Sequence, residues 1–240
     1  MPIALVTEIT HFVGLPAAAA LADDGVTIAA HDASFTDNAA REAFEVAHPG
    51  FRALTAQEPE ALAAECIDKL SGLDIVISND AYPAKKDPVI GADPAHMTEA
   101  LDALVTRPFR LAGAAAAHMA DNGGGKIIFV SSAAPLRGLA NYSIYATARG
   151  ATNAMVKTLS LELAKHGINV NALAPNYVES PTYFPKELTE NPETLARMTK
   201  NIPLGRLGQP AEAGAAIAFL ASDKSGFITG HVLPFAGGWA

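Results

Sequence analysis

The feature that most constrains the fold is the regular alternation of short apolar runs with helical segments along the whole chain. The predicted strands are residues 3–7, 26–30, 51–54, 74–78, 126–130, 168–174 and 231–235. Helical patterns cover 16–23, 38–47, 59–70, 93–119 with a break near Pro108, 141–165, 191–199 and 210–221. Strands that are apolar throughout are covered on both faces, and strand–helix alternation favours a parallel sheet. We therefore predict one α/β domain over residues 1–240, a doubly wound parallel sheet of about seven strands with helices on both faces.

The composition excludes several classes of protein. A formal net charge of −8, with no cluster of Lys and Arg, argues against nucleic-acid binding. No apolar run reaches the roughly 18 residues of a membrane span, and the N-terminus does not resemble a signal peptide, so we expect a cytoplasmic protein. Cys66 is the only cysteine, and the seven histidines lack metal-ligand spacing. We predict neither a disulfide nor a metal site.

Ligands of such sheets bind beyond the carboxyl ends of the strands. The segments to search are therefore 7–15, 31–36, 79–90, 131–141 and 175–190. The last of these is long and rich in proline and aromatic residues, as in the stretch YVESPTYFP. Long ordered loops in compact domains are usually lids or binding loops.

The sharpest chemical signal is the combination of Ser132, Tyr145 and Arg149. Ser132 follows a predicted strand, whereas Tyr145 and Arg149 lie four residues apart on one face of a helix. A guanidinium beside a phenol stabilises the phenolate, which makes Tyr145 a candidate base. Ser132 can bond the oxygen on which Tyr145 acts. The three residues together would transfer a proton from or to an alcohol oxygen.

The turn from Thr7 to Gly14 stands where dinucleotide enzymes place a glycine-rich loop, but its chemistry is different. Glu8 puts a carboxylate where a pyrophosphate would lie, and Phe12 fills space that a close backbone approach needs. Asp32 follows 18 residues after Gly14, at the place of the acid that binds the ribose of NAD. We interpret Asp32 as a structural carboxylate, because Glu8 and Phe12 spoil the site it would serve.

The chain resembles the short-chain dehydrogenase/reductase family over nearly its full length. The resemblance lies in the first strand and turn, in ISND (77–80), in Ser132 with Tyr145 and Arg149 on the family's S…YxxxK pattern, in INVNALAP (168–175), in IPLGRLGQPAE (202–212) and in FLASDKSGFITGHVLPFAGG (219–238). It implies a Rossmann-like fold and a homotetramer. Arginine replaces the family's lysine at position 149, and Pro175-Asn176-Tyr177 replaces its Pro-Gly.

These departures resemble the halohydrin dehalogenases, a cofactor-free branch of that family. The resemblance implies that vicinal halohydrins are converted to epoxides with release of halide and a proton, and that small anions open epoxides in reverse. It implies Ser132, Tyr145 and Arg149 as the catalytic residues and no cofactor. The implied halide and substrate residues are Phe12, Pro175, Asn176, Tyr177, Val178, Tyr183, Phe184, Tyr82 and Pro83.

Two other functions remain open at this point. An NAD(P)-dependent alcohol dehydrogenase or carbonyl reductase with an unusual loop would bind a nicotinamide cofactor. A regulator or binding module derived from the family would have no need of both Ser132 and Tyr145. The C-terminal Trp239 could reach the pocket of a neighbouring subunit or belong to an exposed tail.

Overall fold

The computed structural model describes residues 1–181, 183–184 and 189–240. The strands are β1 (Ile3–Val6), β2 (Thr27–Ala30), β3 (Arg52–Ala53), β4 (Ile75–Ser78), β5 (Gly125–Val130), β6 (Ile168–Pro175) and β7 (Val232–Phe235). They form one parallel sheet in the order β3-β2-β1-β4-β5-β6-β7. The predicted seven-stranded, doubly wound sheet is confirmed.

Helices cover both faces of the sheet. They are α1 (Gly14–Asp23), α2 (Asn38–Ala47), α3 (Pro59–Leu70), α4 (Pro94–Leu101), α5 (Arg107–Asp121), α6 (Ala134–Arg137), α7 (Ser143–Leu163), α8 (Pro192–Thr199) and α9 (Pro210–Ala221). Val6 and Ile28 pack against α1 and α9 on one face, whereas Leu5 and Ile127 pack against α3, α5 and α7 on the other. Within the described residues, no helix is long and apolar enough to span a membrane.

The helix predicted over 93–119, with a break near Pro108, is interrupted in the turn before that proline. A π-helical segment (Asp102–Thr106) joins α4 to α5. Proline clashes with the carbonyl four residues earlier and cannot donate to it, and here that carbonyl belongs to Leu104. The Leu104 carbonyl instead accepts a hydrogen bond from Thr152 Oγ1 of α7 at 2.8 Å. The interruption therefore ties this helical layer to α7, the helix that carries Tyr145 and Arg149.

The winding of the chain reverses between β1 and β4, which are neighbours in the sheet. Such a switch point opens a crevice beyond the carboxyl ends of the strands. Here the Thr7 N–H donates to the Ile77 carbonyl at 3.0 Å, and the Asn79 N–H donates to Thr7 Oγ1 at 2.9 Å. The loops that follow β1 and β4 therefore start from one braced point at the crevice.

Candidate active site

Two serines at the carboxyl end of β5 face different partners. Ser131 Oγ donates to Asn153 Oδ1 on α7 at 2.6 Å, a buried contact that holds strand and helix together. Ser132 Oγ accepts the Ala134 N–H at 3.1 Å at the start of α6. Because Ser132 Oγ serves as the acceptor there, its own O–H is left to donate to a ligand. The geometry thus distinguishes a structural serine from one available for chemistry.

Tyr145 and Arg149 lie one turn apart on α7, as their spacing predicts. Arg149 Nε donates to Tyr145 Oη at 3.3 Å. The other guanidinium nitrogens donate to the Val130 carbonyl at 2.8 Å and to the Asp80 carbonyl at 2.9 Å. Burial opposes the positive charge of Arg149, but the neighbouring Tyr145 and Tyr183 hydroxyls outweigh burial and raise its pKa. A permanently charged, rigidly held guanidinium therefore lies beside the Tyr145 oxygen.

The loop between β1 and α1 has left-handed backbone at two residues that are not glycine. Glu8 has φ +43° and Phe12 has φ +48°, a region that costs an L-residue roughly 1–2 kcal/mol. Gly14 is indispensable, because a Cβ there would lie 2.4 Å from the Ile9 carbonyl oxygen. Asn79 Nδ2 holds the loop by donating to the Glu8 carbonyl at 3.0 Å and to the His11 carbonyl at 2.8 Å. The loop keeps a glycine-type path while carrying large side chains.

The carboxylate oxygens of Asp32 accept hydrogen bonds from within the protein. Its carboxylate accepts the backbone N–H and the hydroxyl of both Thr10 and Ser34. Burial would raise the pKa of Asp32, but these hydrogen bonds outweigh it and lower the pKa. A ribose hydroxyl that bonded an acid at this position would compete with the Thr10 hydroxyl for the same carboxylate. This arrangement agrees with the interpretation of Asp32 as a structural carboxylate.

Glu8 lies in an acidic environment. Partial burial, with the nearby carboxylates of Asp32 and Asp80, raises its pKa to about 7. Its nearest basic group is His31, with Nδ1 at 3.9 Å from Glu8 Oε1. Burial lowers the pKa of His31, so this contact is not an ion pair at neutral pH. The Glu8 carboxyl is therefore divided between its neutral and charged forms near pH 7.

The segment after β6 follows a tightly held path. The Asn176 N–H donates to the Phe235 carbonyl at 3.0 Å, and the Tyr177 N–H donates to Asn176 Oδ1 at 3.0 Å. Tyr177 has φ +56°. The N–H of the buried Val178 has no acceptor among the residues that the structure describes. Val178 thus offers a backbone donor that the described residues do not use.

Tyr183 and Phe184 close the opposite side of this segment. The Tyr183 ring meets the edge of Phe12 at 5.2 Å between centroids, and its hydroxyl lies 3.4 Å from His11 Nε2. Burial and the nearby Tyr145 raise the pKa of Tyr183 to about 12, so its phenol stays a donor. Within the predicted loop 175–190, residues 182 and 185–188 lie outside the described residues.

These elements enclose one cavity of about 480 Å³. Ten of the twelve predicted site residues line it: Phe12, Ser132, Tyr145, Arg149, Pro175, Asn176, Tyr177, Val178, Tyr183 and Phe184. Tyr82 and Pro83 do not. Tyr82 packs beside Tyr145 in a small apolar cluster, and its hydroxyl donates to the His96 carbonyl at 3.1 Å. The resemblance implied these two as substrate residues, but the loop after β4 places neither of them among the lining residues.

The cavity also has lining residues that the sequence did not single out as a site. They are His11, Asn79, Asp80, Ala84, Lys86, Val130, Ser131, Ala134, Leu139, Ala140, Asn141 and Tyr142. Most lie in segments 79–90 and 131–141, which were recognised as places to search. A catalytic sequence pattern does not identify these residues, because their position in the cavity wall depends on the path of the loops. The described residues hold no cluster of metal-binding side chains.

Comparison with known proteins places the chain in a family. The family model described as enoyl-(acyl carrier protein) reductase matches residues 11–240. Dehydrogenase/reductase SDR family member 4 of Oryctolagus cuniculus is 31% identical over 98% of this chain and 92% of its own length. The chain belongs to the short-chain dehydrogenase/reductase family.

Two solved structures have a higher sequence identity to this chain than the relative described above. A protein described as a dehalogenation enzyme is 46% identical with a TM-score of 0.96, covering 100% of this chain and 98% of its own. A halohydrin dehalogenase (HheC) bound to ethyl (2S)-oxiran-2-ylacetate is 38% identical with a TM-score of 0.95, covering 98% and 96%. The predicted resemblance to halohydrin dehalogenases within the family is confirmed.

Proposed function

We propose that the protein converts vicinal halohydrins to epoxides without a cofactor, releasing halide and a proton, and that it opens epoxides with small anions in the reverse direction. The observation that carries the proposal is the pairing of Ser132, Tyr145 and Arg149 with the ring of Phe12 across one cavity. The first three residues handle an alcohol proton. Phe12 lines the same cavity from the β1–α1 loop, where the family carries its glycines.

The proton step follows from the positions of three groups. Tyr145 Oη, as phenolate beside the Arg149 guanidinium, removes the proton of the substrate hydroxyl. The Ser132 O–H donates to the same substrate oxygen. The oxygen lone pair then attacks the neighbouring carbon, a C–O bond forms, the C–halogen bond breaks, and halide leaves with the bonding electrons. Nucleophile and leaving group share one molecule, so their proximity needs no second binding event. Tyr145 returns its proton to solvent.

The leaving halide needs a donor that is not already occupied. The N–H groups of Asn176 and Tyr177 bond within the protein, so the candidate is the Val178 N–H, which has no acceptor among the described residues. Preorganised backbone donors stabilise developing anions well in a partly enclosed site. The edges of the Phe12 and Tyr177 rings would complete the halide site. Every step in this account conserves the oxidation state of the carbon atoms, so none needs a nicotinamide.

The residues present do not fit a nicotinamide dinucleotide. Glu8 brings a carboxyl group to the position of the pyrophosphate in the family's glycine loop, and Thr10 already bonds Asp32, the acid that would bind the ribose. The Arg149 guanidinium donates its hydrogen bonds to two carbonyls and Tyr145. The family's lysine at this position would instead bind the nicotinamide ribose. These observations support a cofactor-independent reaction.

An NAD(P)-dependent oxidoreductase is the second candidate. It is favoured by curated relatives such as Dehydrogenase/reductase SDR family member 4, whose names are those of oxidoreductases. This candidate requires saturable nicotinamide binding in the micromolar range. The homotetramer and the cytoplasmic location inferred from the sequence stay predictions.

Replacing Tyr145 by Phe tests the proposed base. We expect halide release to fall by at least about 100-fold, the usual contribution of a general base. The fold should survive, because Arg149 keeps its two carbonyl partners. Chloride release and the thermal unfolding midpoint measure the two effects. Tyr142→Phe is the matched control, since Tyr142 lines the same cavity without the Arg149 contact. A Tyr145→Phe enzyme with substantial residual rate would contradict the assignment.

A further inference from the structure

Lys86 lies at the cavity with an unused positive charge. It lines the cavity, its side chain is exposed, and it has no ion pair or hydrogen-bond acceptor among the described residues. The other Arg, Asp and His side chains of the described wall, Arg149, Asp80 and His11, are bonded within the protein or neutral at pH 7. Lys86 is therefore available to bind a charged group of a ligand.

The remaining ionisable groups in the wall are already committed. Arg149 directs its nitrogens to two carbonyls and Tyr145. Asp80 accepts hydrogen bonds from Ser78 and Thr7, so its carboxyl turns toward the protein. Burial and the charge of Arg149 lower the pKa of His11, which leaves it neutral at pH 7. Of the described lining residues, Lys86 is thus the one that presents a full charge to an incoming molecule.

The loop that carries Lys86 is anchored at the following residue, Asp87. The N–H of Asp87 donates to the Asn141 carbonyl at 2.8 Å, which ties the loop to the segment leading into α7. The Asp87 carboxylate also pairs with His96 Nδ1 at 2.9 Å. Lys86 is thus held beside residues 139–142, which form another part of the cavity wall. The backbone is held beside Lys86, while its ammonium group has no partner in the part of the chain that the structure describes.

The cavity is large enough to hold a substrate that extends beyond the reacting carbons. About 480 Å³ lies within the range of sites for drug-sized ligands, so there is room for a substrate longer than a three-carbon halohydrin. With the reacting carbons at Ser132 and Tyr145, the rest of such a substrate extends along the wall.

We propose that Lys86 is a specificity-determining residue that selects halohydrins and epoxides carrying an oxyanion group, such as a carboxylate, at the end remote from the reacting carbons. This inference rests on the proposed function. The solved relative binds an epoxide ester, ethyl (2S)-oxiran-2-ylacetate. For this chain the preferred form is the corresponding free acid.

The test compares 4-chloro-3-hydroxybutanoate with its ethyl ester, two compounds that share the reacting atoms and differ in one charge. Lys86→Gln should lower kcat/KM for the acid about fivefold, the upper range for an exposed ion pair. The loss should appear in KM, since the pair is equal in ground and transition states. Lys86→Arg should retain the preference, and higher ionic strength should weaken it.

Lys85→Gln is the matched control, because Lys85 is also exposed but does not line the cavity. Equal effects of Lys86→Gln on acid and ester, or equal effects of the two glutamine variants, would overturn the role of Lys86. Chloride release from the ester but not from the acid would overturn it as well and leave the proposed function intact. Release from neither compound by the wild type would overturn the proposed function itself.

Discussion

The left-handed residues of the first loop show how large side chains can take the place of glycines without a change of backbone path. Glu8 and Phe12 keep positive φ values where glycine would be free of strain. The strain is tolerated because Asn79 bonds two carbonyls of the loop and Gly14 allows its close approach to Ile9. These contacts therefore hold the backbone path, and the side chains of Glu8 and Phe12 change only which groups face the cavity and its surroundings.

Glu8 should make the stability of the protein depend on pH with an unusual sign. Its folded pKa of about 7 lies above the ordinary value of 4.5, so the folded state holds the proton more tightly than the unfolded state does. Stability contributed by Glu8 is therefore present below pH 4.5 and is lost as the pH rises through 7. Most carboxylates in proteins behave in the opposite way.

Glu8→Gln removes this titration. At pH 8 the variant should be more stable than the wild type by about 2 kcal/mol, after allowance for the 27% of the Glu8 side chain that is exposed, and near pH 4.5 the difference should vanish. Urea unfolding at the two pH values measures it. Glu162→Gln, at an exposed site, is the control. A Glu8→Gln advantage that does not change with pH would contradict the account.

At the scale of elements, the C-terminus supports the segment after β6. Trp239 is 7% exposed, and its ring lies 5.8 Å from the ring of Tyr177 in an edge-on contact. The Arg137 guanidinium covers the other side at 4.9 Å and donates to the Trp239 carbonyl at 3.0 Å. Of the two alternatives considered from the sequence, the exposed tail is therefore wrong. Within its own chain, Trp239 packs behind the part of the cavity wall formed by Tyr177.

Trp239→Ala should therefore weaken halide binding without touching a reacting group. Tyr177 loses an aromatic contact, and we expect the inhibition constant for chloride to rise about threefold to tenfold, the worth of one aromatic pair. The variant should also lose about 3 kcal/mol of stability. Trp239→Phe keeps an aromatic edge and should restore most of the binding. Phe227→Ala, at a fully exposed ring, serves as control. Unchanged chloride inhibition in Trp239→Ala would show that the contact has no such effect.

The sequence predicted the regular elements well because their periodicity is a local property. Continuous apolar runs identified the strands, and the four-residue spacing of Tyr145 and Arg149 placed both on one face of α7. Contacts between distant segments were beyond such reasoning. The bond from Thr152 to the Leu104 carbonyl, which accompanies the π-helical turn, joins residues 48 positions apart. The same limit applies to Lys86 and Trp239, whose positions depend on how loops pack.

At the scale of the whole molecule, the site lies at the switch point between β1 and β4. That position follows from the strand order alone, and the sequence analysis placed its search at the same edge. The fold therefore predicts where chemistry occurs. It does not decide which chemistry, because relatives with oxidoreductase and dehalogenase names share it. The decision rests on the few side chains that replace the family's glycines and lysine.

The most direct measurement is chloride and proton release from 1,3-dichloro-2-propanol by the purified protein in buffer without nicotinamide. The account predicts release that saturates with substrate, gives epichlorohydrin and does not change when NAD(H) or NADP(H) is added. No release from this compound or its bromo analogue, together with saturable nicotinamide binding, would contradict it and favour the oxidoreductase.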